Sequence, residues 1–169
     1  MKTPICKISF FSLAMMIAPV ISAQEIVESI HLDGPRVGET YIFPGAIANK
    51  LKKDFKANPL ITQFGWQFET QYFNLPSGTA GLVEAVALVG GLEQGLFLPS
   101  GSLLVGLRSH NGFEFGFGPN LSLTGAAFIF AIGITFHSSD VNFPVNIAFV
   151  PSKEGARISF LFGFNARHR

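Results

Sequence analysis

Charge is scarce in this sequence and cysteine is almost missing. Of 169 residues, 14% are charged, with 12 Lys and Arg against 11 Asp and Glu. This near balance of signs does not look like a nucleic-acid footprint, so no nucleic acid is expected as a partner. The one cysteine, Cys6, sits at the extreme N-terminus, too early to be the acylated cysteine of a lipoprotein signal. A mature chain without it forms no disulfide. Long apolar runs are lacking as well. Residues 79–91 and 121–136 come closest to the run of about 18 that a spanning helix needs, and both are broken by glycines and polar residues.

Chemistry-bearing clusters are equally sparse. His31, His110, His137 and His168 are scattered, with neither cysteine nor HExxH spacing to support them, so no metal site is expected. Gly90-Gly91 and Gly116-Phe117-Gly118 lack the following helix and basic residue of a phosphate cradle. No cofactor is expected.

Apolar side chains are abundant: 48% of residues are hydrophobic and 19 are Phe. The chain opens with Lys2 and Lys7, an apolar stretch over residues 8–21, and Ser22-Ala23 before Gln24. That order of segments predicts a cleaved secretory signal peptide over residues 1–23. Residues 24–34 read as a polar lead and residues 35–166 as a β-barrel domain. Without Lys2 and Lys7 the net charge is about −1.

The barrel is read from alternation. Over residues 156–165, Ile158, Phe160, Phe162 and Phe164 alternate with Arg157, Ser159, Leu161, Gly163 and Asn165. Period-two alternation marks a strand with two unlike faces. The same pattern recurs over residues 128–136, with Phe128 and Phe130 on the aromatic side, and over 141–150, with Phe143. It recurs again over 60–73, where Phe64, Trp66 and Phe68 oppose Gln63, Gln67 and Glu69. Further strands are expected at 35–43, 79–89, 102–109 and 113–123, the last with a bulge at Pro119. Asn111-Gly112 signals a hairpin, and residues 90–101 read as the longest loop. Residues 44–55 change period, with Ile47, Leu51 and Phe55 on one face among Lys50, Lys52 and Lys53. That predicts a short basic amphipathic helix, a lid at a barrel end or a contact with the membrane surface.

Two architectures suit eight alternating strands behind a signal peptide. A soluble lipocalin-like barrel would turn the Phe face inward around an apolar ligand; a membrane barrel turns it outward into lipid. The second face decides. It carries Gly65, Gly106, Gly116, Gly118, Gly133, Gly163, Ala127 and Ala131, where a soluble exterior should be dense in Lys and Glu. Its charges are Arg36, Glu69, Glu84, Arg108, Glu114 and Arg157, three of each sign. Ions enclosed by a wall must be paired, and barrels of about eight strands leave room for side chains alone. The reading is therefore an eight-stranded antiparallel up-and-down transmembrane barrel, with a short helix between strands 1 and 2. Phe64, Trp66, Phe68, Phe128, Phe130, Phe143, Phe160, Phe162 and Phe164 face lipid, and the six charges form a lumen network.

The signal peptide, the segment Gly112-Phe113-Glu114-Phe115-Gly116-Phe117-Gly118-Pro119-Asn120 and the strand over 157–165 together resemble the small outer-membrane β-barrel proteins of Gram-negative bacteria, loosely the porin-like barrels of eight strands. The resemblance implies an outer-membrane location, contact with outer-membrane lipid, and insertion by the barrel-assembly machinery. Such families share architecture and vary in task; the task expected here is non-catalytic, of structural, adhesion or narrow-pore type, acting through loops such as residues 90–101 on an unknown partner. The family's usual C-terminal signal ends in an aromatic residue, whereas this chain runs on through Ala166-Arg167-His168-Arg169. His137, Ser139 and Asp140 are the one catalytic candidate. Their His-x-Ser spacing is similar to that of outer-membrane lipid A deacylases, where a histidine activates the serine. Their plain reading is turn composition.

Overall fold

The computed structural model describes residues 30–138 and 141–168; the expected signal peptide lies outside the described residues. Its strands are β1 (Ile30–Ile42), β2 (Leu60–Asn74), β3 (Ala80–Gly90), β4 (Leu98–Arg108), β5 (Phe113–Ser122), β6 (Gly125–Ser138), β7 (Val141–Val150), β8 (Arg157–Gly163) and β9 (Asn165–His168). Each strand from β2 to β7 pairs antiparallel with the next, and β1 pairs with both β8 and β2, so the sheet closes. β9 continues β8. It lies between the same two neighbours in unbroken register, Arg36↔Gly163 on β8 resuming as Asp33↔Ala166 on β9. The barrel therefore has eight strand positions.

Two prolines explain the interruption at Phe164. By register Phe164 faces Pro35 on β1, and Gly163 faces Pro144 on β7. A proline has no N–H to give to a ladder. Arg36 compensates from the lumen: its Nη1 donates to the carbonyl oxygens of Pro35, at 2.9 Å, and Phe164, at 3.4 Å.

Alternation sorts the two faces as steric geometry requires. The phenylalanines face outward, with Phe64, Phe160 and Phe162 each 50% exposed. Along the strands Phe115 and Phe117, Phe128 and Phe130, and Phe160 and Phe162 stand side by side with ring centroids 6.0 to 6.4 Å apart. Soluble proteins rarely leave so continuous an apolar surface in water. A barrel wall in lipid requires one. The lipocalin-like alternative, with phenylalanines gathered around a ligand, is thereby overturned.

Small residues inside allow tight curvature. A Cβ on Gly38 would lie 1.9 Å from the Phe160 carbonyl oxygen, so the neighbouring strand approaches to a distance only glycine permits. Gly112 serves a different need: its φ of 79° closes the hairpin between β4 and β5.

Several expected boundaries shift. β1 begins at Ile30, inside the stretch read as a polar lead, because Leu32 and Gly34 keep the inward alternation although His31 and Asp33 look loop-like. Pro119 makes no bulge; its pairing with Phe128 keeps the register. The irregularity lies instead between Gln71 and Phe73 on β2. Residues 98–101 belong to β4 rather than to a long loop. Pro99 pairs with Val89 on β3 and lies beyond the last β5 rung at Ser100, where its missing N–H costs no bond. The longest connection between strands is therefore residues 43–59, which carries the helix α1 (Ala46–Asp54). This helix sits at the barrel end opposite Ile30 and His168, the ends of the described residues and the termini of the barrel.

Candidate functional site

The lumen has two unlike halves. In the half near the termini, Arg108 and Glu114 face each other across β4 and β5, and Glu69 faces Glu84 across β2 and β3. Alternation turns all four inward, and a barrel this narrow brings them within reach of one another. Arg108 holds Glu69 in a two-pronged contact, Nη1 to Oε1 at 2.6 Å and Nη2 to Oε2 at 2.7 Å, and its Nε reaches Glu114 Oε1 at 2.6 Å. Such paired, parallel bonds are the strong form of the arginine–carboxylate contact. The Thr135 hydroxyl donates to Glu114 from β6.

Amides link this cluster to Arg36. Its Nε donates to Gln67 Oε1 at 2.9 Å, and Gln67 Nε2 in turn donates to Glu84 Oε1 at 2.8 Å. Arg36 Nη2 donates to Asn165 Oδ1 at 2.7 Å, while Asn165 Nδ2 and Gln71 Nε2 donate to Glu69. Arg36 is 1% exposed and Glu69 2%, and cations and amides surround the facing carboxyl groups of Glu69 and Glu84.

The half toward α1 is looser. Thr40 donates to Gln63 Oε1 at 2.5 Å and meets Ser159 at 2.6 Å. Leu104, Ile129, Ala148 and Val150 form an apolar cluster on the opposite wall. Arg157 stands here, apart from the other five charges, because it opens β8 at the far end of the barrel, opposite Ile42. Its Nη1 donates to Ser122 at 3.0 Å and its Nη2 to Asn120 Oδ1 at 3.1 Å. Its buried Nε has no partner among the described residues, nor does Asn146 Oδ1. A lumen cavity of about 70 Å³ lies between Arg36 and Arg157, room for a few waters.

Beyond Arg157 the barrel mouth is covered by α1. Leu51 packs with Ile42, Ala57 and Ile61, and Ile47 and Leu98 border that cluster. Glu93, on the 3₁₀ turn Leu92–Gln94, accepts from the Thr62 amide at 3.0 Å, from the Thr62 hydroxyl, and from Gln94 Nε2 at 3.1 Å. Desolvation pushes its carboxyl pKa up, but the bonds from Thr62 and Gln94 together outweigh it and hold the group at about 2.

The structure thus gathers Arg36, Glu69, Glu84, Arg108 and Glu114 and leaves Arg157 separate. Phe64, Trp66, Phe68, Phe128, Phe130, Phe143, Phe160, Phe162 and Phe164 are all exposed on the outer wall. His137 is exposed at the end of β6, on the same rim as the termini; Ser139 and Asp140 lie outside the described residues. The bridging amides Gln67 and Asn165 and the hydroxyl of Thr135 were not singled out by charge, although the inward alternation carries them. Among the described residues no group of His, Asp and Glu could hold a metal ion.

No protein-family model matches the chain, and no curated protein sequence matches it. Among solved structures it is similar to the crystal structure of Ail, the attachment invasion locus protein of Yersinia pestis, in complex with the heparin analogue sucrose octasulfate. Identity is 10%, with 83% of this chain and 97% of that one covered, at a TM-score of 0.36. A second structure of Ail is similar at 9% identity over the same shares, with a TM-score of 0.30. It is the closed ladder and the aromatic outer wall of its own strands that make this chain a small eight-stranded transmembrane β-barrel of the outer-membrane kind.

Proposed function

We propose that this chain is a non-catalytic outer-membrane barrel of structural or adhesion type, closed to ions, which works through its α1 end. The observation that carries the closed lumen is the contact of Arg108 with both Glu69 and Glu114, extended by Thr135, Asn165, Gln67 and Arg36 across the barrel section. The lumen cavity between Arg36 and Arg157, about 70 Å³, is small beside it. The aromatic belt takes outer-membrane lipid as its solvent, and insertion is the work of the barrel-assembly machinery. With both termini on the periplasmic side, the short connections 75–79 and 109–112 are periplasmic. The α1 segment, with Lys50, Lys52 and Lys53, and the 3₁₀ turn then face outward as the surface for a partner. His137 falls on the periplasmic rim, away from outer-leaflet lipid A, which is why hydrolysis is not part of this reading.

Planar-bilayer recording of the purified barrel tests it. The expected trace shows no steady conductance, and a reproducible ohmic step from the wild-type chain would overturn the closed lumen. Extraction that succeeds without detergent, with no heat-modifiable gel mobility, would overturn the membrane assignment itself.

A further inference from the structure

Between α1 and the barrel wall lies a cavity of about 470 Å³, lined by Ile47, Leu51 and Phe55 of the helix segment, Ile61 and Leu98 of the wall, and Leu123 of the β5–β6 turn. That size falls within the range of small-molecule sites, roughly 300 to 1,000 Å³. Phe55 is 53% and Leu123 67% exposed, so apolar surface stands open at the mouth, away from the aromatic belt. Lys50 and Glu154 border the cavity, and Arg157 lines both it and the lumen cavity behind. Arg157 is where the charge pattern is incomplete. The lumen acids Glu69, Glu84 and Glu114 belong to the other half; Arg157 is left with two uncharged partners and a buried Nε that bonds to nothing described. A guanidinium enclosed by a wall of low polarity calls for an anion, and the surface next to this one calls for an alkyl chain.

We propose that the mouth binds an amphipathic monoanion, a medium-chain alkyl carboxylate, with the chain in the apolar cleft under α1 and the carboxylate on Arg157. The site goes beyond the closed-barrel reading and does not depend on whether the lumen conducts.

The test uses the full barrel in lipid nanodiscs, free of detergent, with 11-bromoundecanoate as the probe. Trp66 is the only tryptophan and lies on the lipid face, so its quenching reports probe dissolved in the bilayer. In a Trp66→Phe background, Phe55→Trp places the only indole in the cavity. Quenching at position 55 should saturate at one probe per barrel while quenching of Trp66 rises without saturation. Arg157→Gln should raise the half-saturation concentration by about tenfold or more, the worth of one charge-assisted hydrogen bond. The neutral 11-bromoundecanol should gain nothing from Arg157. Quenching at position 55 that merely tracks Trp66, or that saturates alike with and without Arg157, would overturn the proposal. Should Phe55→Trp not fold by heat-modifiable mobility, calorimetric titration of the wild type and Arg157→Gln with undecanoate gives the same comparison. Equal heats would overturn it.

Discussion

The two halves of the lumen are enclosed by the same strands, yet one is welded and the other roomy. Near the termini, every carboxylate accepts from a cation or an amide, and bonds run from β1 through β6 to β9. Toward α1 the interior is hydroxyls, amides and aliphatic side chains, with one arginine bonded only to neutral groups and a cavity above it. The difference teaches that a closed wall fixes the directions of side chains while the residues chosen decide whether the inside is structure or site. The ion-paired half holds the barrel together; the other half has spare volume and spare charge.

Breaking the welded half should have the largest effect. Arg108→Ala leaves Glu69 and Glu114 buried without their cation, and a loss of about 3 to 5 kcal/mol is expected. Thermal unfolding in detergent, followed by gel mobility, measures it. Unchanged unfolding would mean that the two halves do not differ in the way described. Gly38→Ala acts on the curvature both halves share. The new methyl would meet the Phe160 carbonyl, and forcing β1 and β8 apart should cost about 1 to 3 kcal/mol in the same assay.

The loose half should respond far less. Arg157→Gln removes a cation that no carboxylate neutralises, so stability should change by less than about 1 kcal/mol and can rise. A loss as large as that of Arg108→Ala would erase the comparison. The smallest effect belongs to Glu93 at the rim. Its folded pKa of about 2 lies below the ordinary carboxylate value of about 4.3. The stabilisation it gives is therefore complete above that ordinary value and fades as pH falls toward about 2. Exposure to solvent keeps the effect local and small. The protection factor of the Thr62 amide against exchange should fall over that window in the wild type and stay level in Glu93→Gln.

Strand faces were legible in the sequence because alternation is dictated by backbone geometry alone. Phe160 and Ser159 cannot share a side, and the outer belt follows from that. The place of each charge along the barrel was not legible. Arg157 and Arg108 look equivalent in an alternating pattern, and only the register, which sets Arg157 against Ile42 and Arg108 against Glu114, puts them in different halves. The bridging role of Gln67 and Asn165 carries no signal in the sequence, because an amide between two ions is chemically quiet until its neighbours are known. Residues 98–101 read as loop because proline and glycine usually punctuate turns, whereas here the barrel rim tolerates both.

The seam where β1 meets β8 and β9 is fastened from inside as well as along its ladder. At Pro35 the backbone has no hydrogen to offer, and the guanidinium of Arg36 reaches from within to the carbonyl oxygens of Pro35 and Phe164. That same group is tied to Gln67 on β2 and Asn165 on β9. First and last strands are thus zipped partly by a side chain that must already be seated inside. Closing the cylinder and filling its middle are thereby coupled at this seam.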